Sequence, residues 1–155
     1  MQDLAEINDI YCLAEPSGLG APFFRADIGL EFSAATDNLR EQQIASLLLE
    51  GIIFRVALIL EDFQRSAPVS KVYLAGGLSA SSCIQQGIAI CSPVPVFKLL
   101  QQHSGLIGVA ILANHQSPAT GREVEEIILI NKHLSLIAKY QCWKIWFKNR
   151  LLDVA

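Results

Sequence analysis

With 155 residues, 52% of them hydrophobic and 17% charged, the chain is long enough to bury a core and too apolar to be disordered. So little polar surface also implies that one face is meant to be covered. The net charge of −3 excludes the basic surface of a general nucleic-acid binder. Cys12, Cys83, Cys91 and Cys142 show no C-x-x-C and no paired histidine spacing. Buried reduced thiols in a reducing, cytoplasmic setting are expected, rather than a metal site or a disulfide framework.

In chain order, Met1 to Asn8 is polar and acidic, unlike a signal peptide, and predicts a loose lead-in. Ile10 to Ala14 predicts a short strand. Glu15 to Phe24, E-P-S-G-L-G-A-P-F-F, is bracketed by prolines and anchored by Leu19, Phe23 and Phe24, so it reads as a rigid, specially shaped loop. Ile28 to Phe32 predicts a second strand. Thr36 or Asp37 can cap a long helix from about Leu39 to Gln64, whose apolar stripe runs through Ile44, Leu47, Leu48, Gly51, Ile52, Val56, Ile59, Leu60 and Phe63. No apolar run is expected to reach the roughly 18 residues that span a bilayer.

The stretch from Pro68 to Ile90 carries the most local information. Val69 to Ala75 is rich in β-branched and aromatic residues and predicts a buried strand. Gly76-Gly77 follows at once, and the apolar period then lengthens through Cys83, Ile84, Gly87 and Ile88 into a helix. Its first turn is expected to hold Ser79, Ser81 and Ser82. Glycine lets backbone approach a ligand, and the N–H groups and dipole of a helix start favour a phosphate. Neither G-x-G-x-x-G nor G-x-x-x-x-G-K-S/T is present, and the serines serve equally well as ordinary helix caps. Val94 to Phe97 predicts a strand, Ser104 to Leu112 a small-residue helix, Gln116 to Gly121 a loop, and Glu123 to Leu152 mostly helix. Strands alternating with helices argue for an α/β layer. His103, His115 and His133 lie far apart without an orienting carboxylate, and read as surface or loop residues.

Several stretches resemble one family in the same order. G-L-G-A-P-F-F (Gly18 to Phe24) is similar to the G-L-G-A-P-Y-W of the FGGY carbohydrate kinases, in particular the glycerol kinases. L-L-E-G-I-I-F-R-V (Leu48 to Val56) resembles their long-helix L-E-G/S-I-A-F/Y, and Y-L-A-G-G-L-S-A-S (Tyr73 to Ser81) their D-G-G-x-x-x-N/S nucleotide turn. G-L-I-G-V-A-I-L-A (Gly105 to Ala113) is similar to A-L-G-A-A-x-L-A, and Lys139 to Lys148 has the tyrosine and tryptophan spacing of the terminal family helix.

The resemblance implies an actin-like ATPase (ribonuclease H-like) α/β domain, with a small mixed sheet, helices on its faces and a long C-terminal helix. Residues 1–155 would form one domain, most of the second kinase domain, and the N-terminal kinase domain, in the same or a separate chain, would hold the sugar or polyol. ATP with Mg²⁺ would lie between the two. Gly77 would bring its backbone to the phosphates, Gly76 would keep the turn open, and Ser81 would stand near the adenosine. The family's basic aspartate and threonine-containing phosphate loop lie upstream of G-L-G-A-P and have no counterpart here, so no catalytic residue is assigned. Ala75 replaces the aspartate before the glycine pair, and F-S-A-A-T (Phe32 to Thr36) replaces L-T-x-G-T. The chain alone is therefore expected to be inactive. The competing reading is a non-catalytic remnant acting as a regulatory or interaction module.

Lys144 to Arg150, K-I-W-F-K-N-R, is also similar to a homeodomain recognition helix, with Asn149 at the adenine-reading position. No basic arm and no fitting upstream helices accompany it, so no nucleic-acid partner is expected. The same helix carries Lys139, Lys144, Lys148 and Arg150 beside Trp143, Trp146 and Phe147. Its aromatic residues are expected to pack on the sheet with the lysines solvated, rather than to bind a membrane. An apolar cleft-facing surface predicts homo-oligomerisation of the isolated domain.

Overall fold

The computed structural model describes residues 4–101, 103–115, 123–129 and 134–153. Its elements are β1 (Cys12–Leu13), β2 (Glu31–Phe32), α1 (Glu41–Ser66), β3 (Val72–Leu74), α2 (Ser82–Cys91), β4 (Val96–Leu99), α3 (Ser104–Ala113), β5 (Val124–Glu126) and α4 (Leu134–Asp153), with a 3-10 turn at Gly77–Ala80 before α2. The mixed α/β class and the long C-terminal helix are as expected. β1 and β2 form a small antiparallel pair, and a separate sheet has the order β3-β4-β5. Within it β3 and β4 are parallel, joined by α2, while β5 returns antiparallel with Phe97 opposite Glu126.

The core lies between α1, α2 and α4 and takes in β1, Leu19, Ile28 and Val96. Trp143, Tyr140 and Phe54 are its largest fully buried side chains. Phe54 meets Tyr140 at 5.4 Å and Trp143 at 5.8 Å, and Trp143 stacks on Phe147 at 5.0 Å. Such aromatic pairs add to the burial of their area. The aromatic face of α4 thus packs on α1 and on the β1 edge of the small antiparallel pair, whereas Lys139 on the same helix is buried rather than solvated.

Several boundaries move. α1 begins at Glu41 with Arg40 as its cap residue, whose N–H donates to Gln43 Oε1 at 3.0 Å. Thr36 instead closes a turn, its carbonyl accepting from Leu39 N. The buried face of α1 includes Ser46, Glu50 and Arg55, while Phe63 is exposed. The expected apolar stripe is therefore rotated, because two charges have partners waiting inside. An 18-residue window of α1 has a mean hydropathy of 1.9, and by length and composition it is the one described helix able to cross a membrane. Glu50 and Arg55 are both buried against partners within the domain, which makes it the core helix here.

The segment from Glu123 is not mostly helical: it forms β5 before α4 begins. Residues 4–8 are not a loose lead-in either, since Ala5 is buried and bonded to Glu50. Cys12 and Cys91 are buried as expected, Cys83 is half-buried, and Cys142 is exposed. His103 and His115 are exposed. The predicted loop at Gln116 to Gly121, and His133, lie outside the described residues. α3 is apolar throughout yet buries no residue, with Leu106, Val109 and Leu112 more than half exposed. A helix of that composition is normally covered.

Candidate functional site: the glycine turn after β3

Gly76, Gly77 and Ser81 lie on one short turn between β3 and α2. Gly76 has φ 93° and ψ 179°, a conformation open to glycine and strained for any residue with a Cβ. A Cβ at Gly76 or Gly77 would meet nothing within 4 Å, so the space above the turn is open. Ala75, Gly76, Gly77 and Leu78 are all exposed, Leu78 at 61%. N–H groups that open a helical turn have no acceptor within it and are available to an anion.

The serines do not share one helical turn. Ser79 lies in the 3-10 turn, where its hydroxyl donates to Gly76 O at 2.7 Å and braces the glycine from below. Ser81 is the cap residue of α2, its Oγ accepting from Ile84 N at a long 3.5 Å. Ser82 is the first helical residue and is exposed. Gln85 on α2 donates its side-chain amide to Ser79 O at 2.7 Å, fastening the turn to the helix. Gln85 also lines a small pocket of about 200 Å³, with Gln86, Lys98, Glu125 and Glu126 among its walls. Residues 75–82 carry no carboxylate, and among the described residues no group of three or more His, Cys, Asp and Glu gathers.

The G-L-G-A-P loop is a separate structure. Gly18, at φ 91°, lies so close to Ala26 Cα that a Cβ there would approach to 2.8 Å. Glu15 accepts from Gly20 N through one carboxylate oxygen, at 3.0 Å, and from Arg55 Nε through the other, at 2.6 Å. Arg55 also donates Nη2 to Ala21 O at 2.7 Å, ahead of a cis Ala21-Pro22 bond, and lies 5.1 Å from the Phe23 ring. Phe23 rests edge-on against Phe147, whereas Phe24 is 79% exposed. The loop's bonds run to α1 and those of the glycine turn run to α2. Arg55 and Glu15, which shape this loop, were missed in the sequence. The available signal was a charge inside the apolar run of α1.

Residues 3–117 match the model of the FGGY family of carbohydrate kinases, C-terminal domain. The chain belongs to that family. It is 23% identical to the glycerol kinase of Trichodesmium erythraeum over 153 residues, covering 92% of this chain and 30% of that one. It is 29% identical to the glycerol kinase of Variovorax paradoxus over 103 residues, 63% of this chain and 21% of the other. Among solved structures, a xylulose kinase from Brucella ovis superposes with a TM-score of 0.73 at 19% identity, covering 99% of this chain and 34% of that one. Plasmodium falciparum glycerol kinase with ADP gives 0.64 at 18% identity, covering 96% and 31%. These likenesses establish the actin-like fold, and the chain spans about a third or less of each of these proteins.

Proposed function

We propose that the chain is the nucleotide-side C-terminal domain of an ATP-dependent, glycerol-kinase-like carbohydrate or polyol kinase. The observation that carries this reading is the exposed Gly76-Gly77 turn, open above its backbone and set between a parallel strand and the start of α2. Gly76 and Gly77 bring backbone N–H groups to the phosphates of ATP, and Ser81 stands beside the adenosine. In the complete kinase the γ-phosphoryl passes to a hydroxyl of the substrate, with charge neutralised by Mg²⁺ carried on the nucleotide. Closure of the two domains excludes water from the transfer, and the N-terminal domain supplies the proton acceptor and the substrate site.

A second reading is a non-catalytic remnant that serves as an interaction module. Ala75 in place of the family aspartate, and F-S-A-A-T at residues 32–36, favour it. Calorimetric titration separates the two. Under the first reading the chain takes up ATP-Mg²⁺ or ADP weakly and does not take up glycerol. Uptake of glycerol without nucleotide overturns the division of labour, and uptake of neither favours the remnant.

A further inference from the structure

Two adjacent glycines have the widest choice of backbone conformations, so a Gly-Gly pair is rigid only where something outside it restricts that choice. Packing does not restrict Gly76 and Gly77. Residues 75–78 and Ala80 are exposed, nothing lies within 4 Å of a Cβ built on either glycine, and Ser79 alone of the segment is half-buried. Backbone bonds close the turn on itself, from Ser79 N to Gly76 O and from Ser81 N to Leu78 O, both at 3.1 Å. They give the turn its shape without fastening it to the body of the domain. The Ser81 cap is a weak tie, since its bond from Ile84 N is longer than an ordinary N–H···O bond, at 3.5 Å.

Gln85 supplies the stronger hold. It stands one helical turn beyond Ser81, to whose carbonyl its own N–H donates at 3.0 Å. Helical side chains lean towards the N-terminus, which carries the Gln85 amide back over the 3-10 turn. There Nε2 donates to Ser79 O at 2.7 Å, and the Ser79 hydroxyl donates to Gly76 O at 2.7 Å. Two short bonds thus run in series from α2 to the Gly76 carbonyl. Among the described residues, Gln85 is the one side chain outside the turn that bonds to residues 76–80. A planar trans peptide carries its C=O and N–H on opposite sides. Holding the Gly76 carbonyl towards Ser79 therefore directs the Gly77 N–H away from it, into the open space above the turn.

We infer that Gln85 is a positioning residue of the glycine turn, fixing the Gly76–Gly77 peptide through Ser79 so that the Gly77 N–H faces a phosphate; this rests on the nucleotide reading proposed above.

A ligand that must first order a loose glycine pair gives up part of its binding energy, and a preset peptide avoids that loss. Gln86, the next residue along α2, sends its amide to a different segment, donating to Ile128 O at 3.0 Å. It provides the control.

The test compares the unsubstituted 155-residue chain with Gln85→Met, which keeps the side chain's length and loses the donor, and with Gln86→Met. Without nucleotide, hydrogen exchange at the Ser79 amide is expected to quicken about tenfold in Gln85→Met and to stay unchanged in Gln86→Met, while the Trp143 amide keeps its protection in both. With ATP-Mg²⁺, followed by NMR, Gln85→Met is expected to bind about tenfold more weakly. Ser79→Ala removes the second bond of the series. The double variant Gln85→Met with Ser79→Ala is expected to bind about as weakly as the worse single one, because bonds in series are lost only once. Unchanged Ser79 exchange in Gln85→Met overturns the inference, and so do affinity losses that simply add in the double variant. A chain that takes up no nucleotide at all overturns the functional reading instead, and the exchange comparison still decides whether Gln85 holds the turn.

Discussion

Cys12 and Cys91 differ from Cys142 in one respect that chemistry can read. Burial, with Glu50 nearby, pushes both inner thiols up to about 12, so neither supplies a thiolate at neutral pH. Alkylation of the folded chain at mildly alkaline pH is expected to label Cys142 first and to spare Cys12 and Cys91 until denaturant is added. Peptide mapping by mass spectrometry checks this, and early labelling at Cys12 contradicts the packing of β1 on α1. The sign of the pH effect follows. As pH rises from the usual 9.0 towards about 12, the unfolded chain ionises its thiols first, so their contribution to stability is lost across that window. Tyr140, raised by burial and by Glu61, adds in the same direction. Buried thiols were legible from composition, since cysteine without a metal or disulfide pattern packs as a small apolar residue. The exposure of Cys142 was not legible, because it depends on which face of α4 turns outward.

Among the elements, α4 organises the core through its aromatic face. Trp143 is fully buried and its Nε1–H donates to Cys12 O at 2.8 Å, tying α4 to β1. Trp143→Ala is expected to cost about 3–5 kcal/mol, as large-to-small changes of aromatic core residues do. Trp143→Phe keeps most of the ring and strands one carbonyl, at about 1–3 kcal/mol. Urea unfolding followed by circular dichroism measures both, and equal costs for the two changes contradict the packing described for the ring. Periodicity revealed α1 and α4 because their repeats are long. It misplaced the buried face of α1, since an apolar-stripe rule cannot see that Glu50 and Arg55 have partners 89 and 40 residues away in Lys139 and Glu15. It also missed β5. Glu123 to Glu126 is a charged run with little strand preference, and only pairing of Val124–Glu126 with β4 makes it extended.

At the scale of the whole molecule, the family and the α/β layer were legible because ordered motifs survive low identity. The glycine turn stood where a strand-to-helix transition required it, with Gly76 in a conformation that only glycine adopts freely. The serine arrangement around it was not legible, since the intervening 3-10 turn is closed by backbone bonds from Ser79 N to Gly76 O and from Ser81 N to Leu78 O, which most residue types can make. The bare apolar α3 belongs to this scale as well, being a helix that makes sense only with something laid over it. The measurement that bears most directly on the central claim is an amide-resolved NMR titration of the chain with ATP-Mg²⁺, beside a Gly76→Val control. The account predicts saturable shifts confined to Gly76, Gly77, Leu78 and Ser81, no change at the Trp143 amide, and loss of the response in Gly76→Val. Silence at those four amides in millimolar nucleotide, or shifts centred elsewhere on the domain, contradicts it.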